Sequence, residues 1–226
     1  MLSRYKIDGI EVYKYVLEPI DSNMYVMMSN YSACIIDPHI NSEGDALLEQ
    51  AEVKKIWIIL THEHYDHIAG VNHFREKYEC VVISNAMAKE YLPNPRKNLS
   101  AYFKSMFFDK DEQTIQLAEQ VFSEEYSCEA DVGFEKEYIL EWNGLDMHLI
   151  ETPGHSKGSI CIIVNGTYIF TGDSLVDGNP IITRLPGGSK RDYQNITKPF
   201  LEGLSKEMIV FPGHGMEGIL SGFEIA

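Results

Sequence analysis

No run of apolar residues in this chain approaches the roughly 20 that a membrane-spanning helix needs, and none of the uncharged stretches is long. The first residues reach Arg4, Lys6 and Asp8 without an apolar core, so no export signal is expected. Cysteine is scarce: Cys34, Cys80, Cys128 and Cys161 stand far apart and form no CxxC or CxxH pair, which leaves no disulfide framework and no thiolate cluster to hold a metal. Three of the four sit in or beside apolar runs, where a small buried thiol is the plainer reading. These features together fit a reducing cytoplasm. Positive charge is also short, with 19 Lys and Arg against 34 Asp and Glu and a net charge of −15. The basic residues are scattered, which argues against a nucleic-acid partner. There is neither a repeat nor a low-complexity segment. What remains is a globular composition, 44% hydrophobic over 226 residues, enough for one domain with a substantial core. The expectation is a single domain over 1–226, monomeric or homodimeric, that acts on a small molecule and touches neither nucleic acid nor membrane.

Short apolar runs predict strands over 11–17, 24–28, 33–36, 56–60 and 80–84, with helices over 42–51 (Ser42 as N-cap), 66–77 and 85–91. Pro93 and Pro95 then break the pattern. The segment from about 93 to 135 reads as an insertion or a cap with a helix of its own. Further strands follow near 137–141, 146–151, 159–164 and 167–171, the last two joined by the Asn165-Gly166 turn. A helix over 191–203 and a strand over 208–211 close the pattern.

Four of these strands end on polar clusters. The run 56–60 leads into Thr61-His62-Glu63-His64-Tyr65-Asp66-His67, where three of the chain's eight histidines fall within six residues. The others lead into Thr152-Pro153-Gly154-His155, Thr171-Gly172-Asp173-Ser174 and Pro212-Gly213-His214-Gly215. Five histidines and two aspartates are enough for two metal ions. In extended chain His62 and His64 face one way and can grip one ion, while Asp66 and His67 point elsewhere and can serve a second. Imidazole with carboxylate suits Zn2+, with Fe, Mn or Co as alternatives. A zincin HExxH pattern would need histidine where Asp66 stands, so that reading fails.

The motif His62-x-His64-x-Asp66-His67, followed by His155, Asp173 and His214 in order, resembles the metallo-β-lactamase superfamily across about residues 20 to 216. The resemblance implies an α/β fold, an αββα sandwich of two mixed sheets packed face to face with helices outside. It implies His62, His64 and His155 at one metal, Asp66, His67 and His214 at the other, Asp173 bridging them, and Asp37 supporting a ligand from behind. Asn98-Leu99-Ser100 and Arg184-Leu185-Pro186-Gly187-Gly188 look like the small glyoxalase II-like branch, similar to hydroxyacylglutathione hydrolase. The long form of that enzyme carries a C-terminal helical domain for glutathione, whereas this chain stops soon after His214, so glutathione is not assured as the thiol.

The implied function is hydrolysis by a metal-bridging hydroxide, first of a thioester, with Asp66 as catalytic candidate for orienting the nucleophile. Alternatives are a lactone or other ester hydrolase, or a mononuclear iron sulfur dioxygenase using only the first three histidines. Arg184, Lys190 and Tyr193 are candidates for holding a carboxylated substrate. His39 is expected in a solvated loop, and Glu63 at the surface or just behind the ligands. The aromatic residues Tyr102, Phe103, Phe107 and Phe108 are expected to be plain packing, with a lid or a dimer contact as the alternative.

Overall fold

β-Branched and aromatic residues dominate the N-terminal quarter, and they pair early. The computed structural model describes residues 3–18, 20–178 and 180–225. In it β1 (Ser3–Ile7), β2 (Ile10–Leu17), β3 (Ser22–Ser29) and β4 (Ser32–Ile36) form an antiparallel meander. After α1 (Ser42–Gln50) the chain returns as β5 (Lys55–Ile59), parallel to β4. Then come α2 (Tyr65–Ile68), α3 (Val71–Lys77), β6 (Glu79–Asn85), α4 (Ala86–Tyr91), α5 (Ser100–Phe103), α6 (Glu112–Val121) and β7 (Val132–Phe134). β6 and β7 extend the sheet in parallel to seven strands, ordered β1 to β7.

The second sheet holds β8 (Glu137–Trp142), β9 (Leu145–Glu151), β10 (Ile160–Val164) and β11 (Tyr168–Gly172) as an antiparallel run. After α7 (Lys190–Asp192) and α8 (Lys198–Glu202), β12 (Ile209–Pro212) enters parallel to β11, and β13 (Gly218–Ile219) lies at its edge. Strands running in both directions within each sheet make both sheets mixed, as expected.

Three apolar layers show how the sheets stack. Val12, Met27, Ile36 and Ile59 from the first sheet meet Met147, Leu149, Ile162 and Phe170 from the second in the central layer. Tyr25 crosses that layer with edge contacts to Phe170 and Phe211 at 5.1 and 5.5 Å. Burying side chains of this size contributes about 1.5–3 kcal/mol each. The outer face of the first sheet packs Ile35, Ile56 and Ile58 against Leu48, Ile68 and Phe74 of the helices. The outer face of the second packs Cys161, Ile169 and Val210 against Leu201. This is the αββα sandwich. Among the described residues no helix is long and apolar enough to cross a membrane, and all four cysteines are free thiols.

Several boundaries differ from expectation. Asn41, not Ser42, caps α1, because its side chain accepts from the Gly44 amide at 2.9 Å. The helix predicted over 66–77 breaks at Ala69-Gly70, where the chain presses against His39: a β-carbon on Gly70 would lie 2.8 Å from the His39 amide nitrogen. The helix predicted over 191–203 is three short turns, with a π-helical turn over Tyr193–Thr197. β1, β7 and β13 were missed, being short or weakly apolar.

The segment over 93–135 packs behind α2. Phe103 and Phe122 lie with ring centroids 5.5 and 5.6 Å from the Tyr65 ring and 4.5 Å from each other. The Tyr65 hydroxyl accepts from the Ser123 amide at 2.8 Å, and Tyr126 donates to the Ile68 carbonyl at 2.8 Å. Phe103 and Phe107 are therefore buried packing, whereas Phe108 is 82% exposed and Tyr102 48%. An open groove of about 710 Å³ lined by Asn94, Arg96, Glu124 and Glu125 lies on this segment and shares no residue with the histidine cluster.

Candidate metal centre

β4 ends on Asp37, held at φ +53°. Its carboxylate is 2% exposed and takes three donors. The Thr61 amide donates to Oδ1 at 2.7 Å, and the Thr61 hydroxyl and His67 Nδ1–H donate to Oδ2 at 2.6 and 2.9 Å. Because the Thr61 hydroxyl proton goes to Asp37, its oxygen accepts from His62 Nδ1–H at 3.1 Å. Elsewhere the Ile182 carbonyl accepts from His155 Nδ1–H at 2.9 Å, and the Ile20 carbonyl from His214 Nδ1–H at 3.1 Å. In each of these four rings the outer nitrogen carries a proton, so the neutral ring presents Nε2 as a lone-pair donor, the usual way of orienting a metal-ligating histidine.

The seven candidate ligands converge. His62, His64 and His155 form one group and Asp66, His67 and His214 another, each with ligand atoms mutually within 4.8 Å. His64 Nδ1 and His155 Nε2 are 2.9 Å apart, and His67 Nε2 and His214 Nε2 3.2 Å. Asp66 Oδ2 is 3.2 Å from His67 Nε2 and 3.3 Å from His214 Nε2. Asp173 stands between the groups: Oδ2 is 3.4 Å from both His155 and His214 Nε2, and Oδ1 is 3.4 Å from His67 Nε2. Asp37 also lies within reach of His62 and His67, but its donors from Thr61 and His67 make it a support for those ligands. A tetrahedral ion with bonds of 2.0–2.1 Å separates its ligand atoms by about 3.3 Å, close to these spacings. His62 Nε2 and Asp173 Oδ1 are buried without a hydrogen-bond partner among the described residues. Such atoms are costly unless a cation meets them. The donor set, the spacing and the orphaned atoms all fit two divalent ions.

Charge points the same way. Burial, with His155 next, pushes His64 down to about 3 and keeps it a neutral ligand. Burial likewise lowers His62 and His155. Burial alone would raise Asp66 and Asp173, but the facing His67 and His214 outweigh it and hold both ionised. Burial would lower His214, but Asp173 and Asp66 outweigh it and push it up to about 10. Without metal, protons on His67 and His214 fill the place of cations.

The turns admit these side chains only through glycine at one close approach: a β-carbon on Gly213 would lie 2.3 Å from Asp173 Oδ1. The Pro-Gly-His turn is tied by the Gly213 amide to the Gly172 carbonyl at 2.8 Å, by the Asn23 amide to the Gly213 carbonyl at 2.7 Å, and by Tyr25 to the Pro212 carbonyl. Buried Lys14 donates to the Gly215 carbonyl at 2.6 Å and pairs with Glu217 at 3.0 Å. Nothing in the local sequence marked Lys14 or Asn23, since both act across the gap between β2–β3 and β12.

Other candidates fall elsewhere. Tyr193 is 2% exposed and packs beneath the His155 turn, where a β-carbon on Gly154 would lie 2.5 Å from its own Cβ. Its ring is thus buried against the turn that carries His155, and its hydroxyl has no hydrogen-bond partner among the described residues. Arg184 and Lys190 are exposed, and neither forms an ion pair among the described residues. His39 is 1% exposed, its ring nitrogens facing the Tyr15 and Ile40 carbonyls, so it is not a solvated loop histidine. Glu63 is 0% exposed, not a surface carboxylate, and burial raises its pKa to about 7.

Comparison with known proteins agrees with this geometry. Residues 17–214 match the family described as the Metallo-beta-lactamase superfamily. A "Probable metallo-hydrolase YqgX" of Bacillus subtilis is 27% identical over 203 residues, covering 88% of this chain and 87% of that protein. A "Hydroxyacylglutathione hydrolase" of Klebsiella pneumoniae is 26% identical over 196 residues, covering 86% of this chain but only 62% of that enzyme. Among solved structures, the BLEG-1 B3 metallo-beta-lactamase is similar at a TM-score of 0.72 and 25% identity, covering 92% of this chain and 94% of that one. The chain belongs to the metallo-beta-lactamase superfamily, and within it to proteins with the makings of a metal-dependent hydrolase.

Proposed function

We propose that the protein is a dinuclear metal-dependent hydrolase whose substrate is a thioester. The observation that carries the two-metal part is Asp173, whose carboxylate faces ligand nitrogens of both groups at 3.4 Å. Two divalent ions, Zn2+ first and Fe or Mn as alternatives, would supply Lewis acidity and a water of lowered pKa. His62, His64 and His155 would hold one, Asp66, His67 and His214 the other, with Asp173 shared. Asp37 and the Ile182 and Ile20 carbonyls fix the proton of each ring on the side away from the reaction. Asp66, ionised and 5% exposed, would orient the attacking water. Arg184 and Lys190 remain the candidates for a substrate carboxylate, Arg184 on the chain that runs from Ile182 to Ser189 and Lys190 directly after it, where the Ser189 amide donates to the Gly154 carbonyl at 2.8 Å. The thioester is favoured by the hydroxyacylglutathione hydrolase likeness.

The test is thiol release from S-lactoylglutathione and simpler acyl thioesters by protein reconstituted with Zn, Mn or Fe. Turnover of thioesters is the expected result. Hydrolysis of lactones or oxygen esters in their place would shift the substrate class, and one bound iron with oxygen uptake would support the dioxygenase reading.

Removing the metal exposes a pH signature. His214 titrates near 10 in the folded, metal-free chain and near 6.5 when unfolded. Its protonated form therefore contributes stability that is whole below pH 6.5 and is lost as pH rises toward 10. His67, also raised, acts in the same sense. Ligating imidazoles must instead shed their protons, so the metal-loaded protein gains stability over this range. Thermal unfolding at pH 6.5 and 9 should show Tm falling in the chelated protein and holding or rising in the loaded one. A chelated Tm that climbs with pH would contradict the charge balance described for the cluster.

A further inference from the structure

Glu63 has no part in the chemistry above, yet it sits between His62 and His64 and is fully buried. Its Oε2 accepts from the Ser156 hydroxyl at 2.9 Å, and the Gly158 backbone helps to favour its ionised form. Ser156 follows His155 directly, and its amide donates to Ser159 Oγ at 3.1 Å, which closes the turn. The fit admits only glycine at 158, where a β-carbon would lie 2.5 Å from Glu63 Oε2 and 2.6 Å from the Ala88 β-carbon. Glu63 Oε1 has no partner among the described residues.

We propose that Glu63 is a positioning residue for one metal subsite only, with its bond to Ser156 acting as the clamp that fixes His62, His64 and His155 relative to one another. The inference rests on the ligand assignment given above. All three histidines of that subsite are chain neighbours of the two clamped residues: His62 and His64 flank Glu63, and His155 precedes Ser156. The two loops lie more than 90 positions apart in the chain and meet here through side chains. The other subsite is held differently, by Asp37 behind His67, by the Ile20 carbonyl behind His214, and by the Asn23 and Lys14 contacts beneath the His214 turn. Loss of the clamp should therefore loosen one subsite and leave the other.

A buried carboxylate with an unpaired oxygen costs free energy, and an apolar residue of similar volume often sits in such a place without loss of stability. That separates positioning from plain structural support. Glu63→Leu is expected to keep or raise the Tm of the metal-free protein while weakening metal binding, and Glu63→Gln, which keeps an acceptor for Ser156, is expected to restore binding.

The experiment uses Co(II) titration, followed by its visible absorption, in two full-length backgrounds. His214→Ala leaves the His62/His64/His155 subsite to bind alone, and His64→Ala leaves the Asp66/His67 side. In the His214→Ala background, Glu63→Leu should weaken Co(II) binding by roughly 10- to 100-fold, the usual effect of removing a group that orients metal ligands. Glu63→Gln should return it to near the parent value. In the His64→Ala background Glu63→Leu should change nothing. Ser156→Ala removes the same bond with little change of volume and should weaken the first background alone, which decides the matter if Glu63→Leu fails to fold. Equal weakening in both backgrounds, or none in either, would overturn the clamp while leaving the ligand assignment standing. If neither background bound Co(II), the assignment would fall and the clamp with it.

Discussion

Replacing Asp173 with alanine should lower hydrolytic turnover by roughly a thousandfold or more and remove at least one of two bound ions. Its carboxylate meets nitrogen ligands from both groups at 3.4 Å. A metal's stabilisation of transition-state charge amounts to several kcal/mol, and each 1.36 kcal/mol is about tenfold in rate. Asp173→Asn keeps the shape and removes the charge that faces His67, His155 and His214. It should bind both ions more weakly and fall between the two. The measurements are thiol release at saturating metal and ions per chain. Wild-type turnover from Asp173→Ala at full metal content would remove the bridging role.

Asp37→Ala should have the largest effect on stability. It strands the Thr61 amide, the Thr61 hydroxyl and His67 Nδ1–H in a site that is almost fully buried. Breaking a buried charged network from one side costs about 3–5 kcal/mol. At about 2–4 °C per kcal/mol for a chain of this size, Tm should drop by roughly 10 °C. Asp37→Asn should lose far less Tm, because it still accepts from Thr61, but its amide cannot accept at both oxygen positions. His67 is then free to turn or change tautomer, and the Asp66/His67/His214 subsite should lose metal although the fold persists. A small Tm change in Asp37→Ala would show that the Thr61 and His67 donors find other partners.

The convergence of the seven candidates was legible because strand physics and ligand chemistry coincide in this chain. Each candidate follows an apolar run that had to be a buried strand, and β5, β9, β11 and β12 all deliver their ends to one edge of the sandwich. The spacing within His62-x-His64-x-Asp66-His67 alone separates His62 and His64 from Asp66 and His67. What stayed hidden depends on contacts across long separations. The partners of His155 and His214 are backbone carbonyls of Ile182 and Ile20, and a carbonyl leaves no mark in a sequence. The Glu63–Ser156 bond joins loops from the two sheets, so the sequence leaves Glu63 open between the surface and a place just behind the ligands. Helical periodicity runs on through Ala69-Gly70, and only the packing of His39 against Gly70 shows why the helix breaks there. Phe103, Phe122 and Tyr126 could have covered the cleft as readily as they back α2, and the Tyr65 ring contacts decide their arrangement.

The central claim is two ions held by seven side chains. Its most direct measurement is metal content per chain at saturation, read by mass spectrometry under conditions that keep the fold, beside the same reading on Asp173→Ala and His62→Ala. Two ions in the parent chain, with at least one lost in each variant, is the predicted result. One ion in the parent at saturation, or two ions retained in both variants, would contradict it.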